Sequence, residues 1–107
     1  MTTVILPTPI ENFVVATNNS SADALFRVFA DGATVTDNGT SYATADELRE
    51  WIKVHQIDPR IVITPTSFEQ DLLVASVDGE FPGGPLNFAF TFTTQADTII
   101  DLSIELV

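Results

Sequence analysis

Apolar positions recur along the first half of the chain with a helical period and along the second half with a strand period. Ile10, Phe13, Val14 and Thr17 are spaced three and four apart, and Thr8-Pro9-Ile10-Glu11 reads as a capping box with proline in the first turn. Asn18-Asn19-Ser20-Ser21 interrupts this helix, and Ser20 or Ser21 can cap a second from Ala22 to Ala30, with Leu25, Val28 and Phe29 in one stripe widened by Phe26. Asp31-Gly32 is expected to stop it. Ala33, Val35 and Asp37 then share one face of a short strand and Thr34 and Thr36 the other. Asn38-Gly39 predicts a type I′ hairpin turn, with Thr40 to Tyr42 as the returning arm.

Thr44-Ala45-Asp46-Glu47 is a second capping box, opening a helix to about Gln56, in which Leu48, Trp51, Ile52 and His55 line one face. Asp58-Pro59 ends it. The period then becomes two, predicting strands over Ile61 to Phe68, Leu72 to Phe81, Leu86 to Thr94 and Thr98 to Leu106, with Pro82-Gly83-Gly84-Pro85 as a turn. Phe88, Phe90 and Phe92 alternate with small or polar residues, as do Ile100, Leu102, Ile104 and Leu106, so antiparallel strands with one buried face are expected. Helices followed by a meander define a single α+β domain over residues 1–107, its sheet curled over its helices.

Composition narrows the partners. Fifteen acidic residues against four basic ones give a net charge of −11, which repels phosphate backbones and anionic lipid heads, so neither nucleic acid nor a membrane surface is expected to bind. The chain has no cysteine, hence no disulfide or thiolate metal site. The segment Met1 to Pro9 has no basic region and too short an apolar run for a signal peptide, and no stretch approaches a membrane span; the reading is a cytoplasmic protein. One histidine among surface-patterned acids does not make a metal site, no glycine-rich loop follows a strand to cradle phosphate, and no cofactor is expected.

The order helix, helix, short hairpin, helix and four strands, with F-A-D-G-A-T-V-T-D-N-G-T-S-Y at the first junction and T-A-D-E-L-R-E-W-I opening the third helix, resembles the nuclear transport factor 2-like superfamily. Within it the chain is most similar in feel to the small SnoaL-like polyketide cyclases and the ketosteroid isomerases, from about Ile10 to Leu106. The resemblance implies a cone-shaped half-barrel with three N-terminal helices on a curved antiparallel sheet, a pocket between them, and a homodimer through the sheet. It also implies that Asp37 occupies the place of the isomerases' general base, next to an oxyanion hole made of a tyrosine and a protonated aspartate. The same alignment sets Phe13 where that tyrosine stands, and phenylalanine has no hydrogen to donate. Leu86 to Thr94 contains no acid, and Asp101 alternates onto the opposite face, so one of three catalytic elements is present.

Each candidate also has a plain structural role. Asp37 precedes Asn-Gly, where an aspartate side chain commonly closes the turn. His55 near a helix end can be an ordinary half-buried residue beside Asp58, and Trp51 can be core. The residues expected to line a pocket are Phe13, Phe29, Val35, Tyr42, Trp51 and His55. Two functions stay open: a domain that binds a small apolar molecule and dimerises, or an isomerase or cyclase using Asp37 as base on a carbonyl-containing substrate.

Overall fold

A computed structural model describes residues 4–107, so the first three residues of the segment considered for a leader lie outside it. Helices α1 (Thr8–Asn18), α2 (Ala22–Val28) and α3 (Ala45–Trp51) accompany six strands: β1 (Phe29–Asp37), β2 (Thr40–Tyr42), β3 (Val62–Glu69), β4 (Leu72–Asp78), β5 (Leu86–Gln95) and β6 (Thr98–Leu106). The strands form one open sheet in the order β2-β1-β6-β5-β4-β3. Every neighbouring pair is antiparallel except β1 and β6, which run parallel. A parallel pair needs a crossover between its strands. Here that crossover is everything from β2 to β5.

The core is aromatic where the helices meet the sheet. Phe13, 0% exposed, meets Phe29, Phe90 and Phe92 edge-on at centroid distances of 6.2, 6.0 and 5.5 Å. Its burial contributes about 1.5 to 3 kcal/mol, and each edge-on pair about 0.5 to 1.5 more. The end of α1 is tied down separately: Asn18 donates its amide N–H to the Ile63 carbonyl (2.9 Å) and accepts the Ile63 N–H (2.7 Å). That reciprocal pair satisfies a stretch of β3 backbone that has no strand beyond it.

Four local departures from the sequence pattern have physical causes. The helix α1 starts one residue early, on Pro7, whose extended backbone and carbonyl accepting from Glu11 N–H (2.9 Å) begin the first turn; no Thr8 capping box forms. The helix α2, capped by Ser21, ends at Val28 because Phe29 already pairs with Ile99 in the sheet. Asp31-Gly32 therefore does not stop a helix but sits in a bulge of β1, where Gly32 takes φ +76°. In β6 the register slips next to Ile100, so Ile99, Leu102 and Ile104 are buried and Ile100 is only half-buried.

The third helix carries the departure that matters most. Its start is as the pattern predicts: Thr44 accepts from Glu47 N–H and Glu47 accepts from Thr44 N–H, at 3.1 Å each. After Trp51, however, the chain winds one turn of π-helix, Ile52–Ile57. That turn holds more residues than an α-turn. Following Ile52, the next inward residue is consequently Gln56, and His55, expected on the apolar stripe, is exposed.

Candidate functional site

The strand β1 delivers Asp37 by parity. Ala33 and Val35 are buried, and the next residue on their side is Asp37, half-buried, paired with Thr40 of β2 and Ile104 of β6. Its carboxylate does not close the turn that follows. Asn38 and Gly39 make that turn with their own positive φ of +47° and +90°, and Asn38 Oδ1 accepts from Leu106 N–H at 3.3 Å. Asp37 Oδ2 instead accepts the indole N–H of Trp51 at 3.0 Å.

Asp37 lies on the wall of a cavity of about 320 Å³. Asn38 continues its wall from β1, the π-turn adds Val54, His55 and Gln56, and the following loop adds Pro59 and Ile61. The sheet closes it with Val77, Leu86, Phe88, Phe90 and Ile104, and Phe81 completes the lining. Its lining side chains are apolar except those of Asp37, Asn38, His55 and Gln56. Gln56 is 6% exposed, yet its Oε1 has no hydrogen-bond partner.

Of the residues singled out in the sequence, the fold brings Asp37, Trp51, Tyr42 and His55 together. Tyr42 Oη and His55 Nε2 are 3.4 Å apart, and the Tyr42 ring stands 6.5 Å from that of Trp51. A smaller hollow of about 210 Å³, sharing Val54 and His55 with the first, contains Tyr42, Trp51, Glu47 and Glu50. Burial, together with the negative charges of Asp37 and then Glu50, raises the Tyr42 phenol above its ordinary pKa. On the rim, the N–H groups of Ala43 and Thr44 hold Glu47 below the usual carboxylate range.

Phe13, Phe29 and Val35 are packed in the core and do not line the larger cavity. Trp51, 0% exposed, stands behind its wall and reaches it only through Asp37. The lining residues that the pattern did not single out come from the sheet and from the π-turn and its following loop. Leu86, Phe88 and Phe90 share one face of β5, which is the face the phenylalanine alternation marks. Gln56 had no signal, because the π-turn that points it inward leaves no mark in the spacing.

No protein-family model matches the chain, and no curated protein sequence does. Solved structures do resemble it. A protein described as a polyketide cyclase from Sinorhizobium meliloti is 28% identical, with TM-score 0.83 over 94% of this chain and 95% of that one. An NTF2-like protein from Cytophaga hutchinsonii is 12% identical, with TM-score 0.71 over 100% and 95% of the two chains. A Mycobacterium tuberculosis protein in complex with estradiol-17β-hemisuccinate is 14% identical, with TM-score 0.73 over 90% and 88%. The chain has the fold of the nuclear transport factor 2-like proteins.

The raised Tyr42 pKa has a consequence for stability. Below the ordinary tyrosine value, about 10, the phenol is neutral in folded and unfolded chains alike and its contribution is complete. As pH rises further the unfolded chain ionises first, so stability is lost until the native phenol also ionises. Tyr42→Phe should therefore lose less stability than the parent chain between about pH 9 and 11. Urea unfolding midpoints across that range check this, and equal alkaline slopes would contradict it.

Proposed function

We propose that this domain holds a small, mainly apolar molecule in the cavity beyond the end of β1. The observation that carries the reading is the lining: apolar and aromatic side chains of β4, β5 and β6 face a few polar groups supplied by β1 and the π-turn. Pockets of this composition and of roughly 300 Å³ and upward are the usual sites for small organic ligands. The steroid ester bound by the Mycobacterium tuberculosis relative supports it. Titration with estradiol and with 2-naphthol, followed by backbone amide NMR, should give saturable shifts centred on Asp37, Gln56 and Phe88. Leu86→Trp, which fills the cavity, should weaken the tighter probe by about tenfold or more, the worth of one side chain's apolar contact. Unchanged affinity in that variant would refute the assignment.

Two chains associate, on this reading, through the outer face of the sheet. Leu72, Val74, Ala89 and Thr91 lie together there by strand register, and Leu72 and Thr91 are exposed. Because each chain carries a charge of −11, salt should strengthen the association by screening repulsion. Light scattering at low and high salt checks this; a monomer mass under both conditions would remove the dimer.

A second reading makes Asp37 a general base for proton transfer beside a carbonyl, or a related cyclisation. It is favoured by the carboxylate's position on an apolar cavity and by the likeness to the protein described as a polyketide cyclase. With phenylalanine at position 13, the developing oxyanion would have to take its hydrogen bonds from Asn38, Gln56 or His55. The reading predicts deuterium exchange next to the carbonyl of cyclic ketones in heavy water, slowed by about 10²-fold or more in Asp37→Asn. Absence of protein-dependent exchange over a panel of such ketones would rule it out.

A further inference from the structure

We infer that the polar group this cavity accepts is a protonated amine, carried on an apolar and preferably aromatic body. The inference rests on the ligand-binding reading above and adds the chemistry of the ligand.

The wall carries oxygen acceptors that the protein leaves unsatisfied. Asp37 Oδ2 is engaged by Trp51, and no hydrogen bond among the described residues reaches Asp37 Oδ1. Gln56 is more than nine-tenths buried on the same cavity, with its amide oxygen unpartnered. Buried acceptors ordinarily find a donor. Asn38 Oδ1 is already taken by Leu106 N–H, so the open acceptors are those of Asp37 and Gln56. A ketone brings no donor to these two oxygens, and could engage only the amide N–H groups beside them. A carboxylate or phosphate brings repulsion as well.

Charge selects further. None of the four basic side chains lines the cavity. Arg49 lies over the Phe26 ring at 3.8 Å, Lys53 pairs with Asp58 at 3.0 Å, and Arg60 pairs with Glu80 at 3.1 Å. Arg27 borders a different hollow, on α2. Among the described residues the Asp37 carboxylate therefore has no Lys or Arg partner, in a chain whose overall field already draws cations. Glu50 adds a further negative charge at the neighbouring hollow. Phe81, Phe88 and Phe90 supply ring faces and edges around the site, and ring faces attract an ammonium group.

The test compares three molecules of one shape: 2-(2-naphthyl)ethylamine, the corresponding alcohol and 2-naphthylacetate. Calorimetry is run with the intact protein at about pH 8, where an alkylamine is protonated. Amide NMR locates the site. The amine should bind about tenfold more tightly than the alcohol, as a charge-assisted hydrogen bond at a partly solvated site implies, and the carboxylate most weakly. Asp37→Asn keeps an oxygen for Trp51 and should abolish the preference of amine over alcohol; its fold is checked by circular dichroism. Alcohol binding as tight as amine in the parent chain, or a preference that survives Asp37→Asn, would overturn the amine assignment and leave the apolar cavity standing. If no probe shifts the cavity amides, both the assignment and the ligand-binding reading fail.

Discussion

A buried indole has one hydrogen to place, and in this protein its placement joins helix to sheet. Trp51 is fully enclosed, with Phe29 edge-on at 6.3 Å and Tyr42 on another side, and its N–H ends on Asp37. Without that acceptor the indole would be an unpaired donor in the core, at a cost of about 1 to 3 kcal/mol. Without the indole, the carboxylate at the end of β1 would lose the group that fixes its direction. The same bond thus stabilises the junction and aims the carboxylate.

The π-turn begins where the indole ends. By fitting an extra residue between Ile52 and Pro59, it turns Gln56 inward and sends His55 to the edge, beside Tyr42. Single π-turns cost helical regularity and recur at functional sites. Here the turn puts an amide, where an α-helix would put an imidazole, against the cavity. The imidazole is left at the cavity's edge.

Much of this architecture is legible in the chain. The change from helical to strand period at Pro59 marks the sheet, the capping box at Thr44 marks α3, and Asn38-Gly39 marks the hairpin; each rests on local physics that the tertiary structure does not override. Parity along β1 likewise places Asp37 on the inner side. What lies outside the reach of pattern depends on registers and gaps. Ile99 and Ile100 are equally apolar, so only pairing with β5 decides which is buried. Phe13 and Phe88 both belong to apolar faces, yet one is core and the other cavity wall. That difference is set by whether a facing element fills the space, and periodicity carries no record of it. Nor does spacing reveal that the helix after Trp51 changes its own pitch.

Strand β6 is the seam of the sheet: it pairs with β5 on one side and, in parallel, with β1 on the other. The Thr34 hydroxyl donates across that seam to Asp101, a residue 67 positions further along. Contacts so distant in sequence close large loops and slow folding. During synthesis β1 and β2 emerge early, but the only strand that can attach their hairpin to the rest of the sheet is the last of the six. Until β6 is made, the edge of β1 and the carboxylate at its end wait in an unfinished sheet, so the cavity is among the final parts of the fold to acquire its shape.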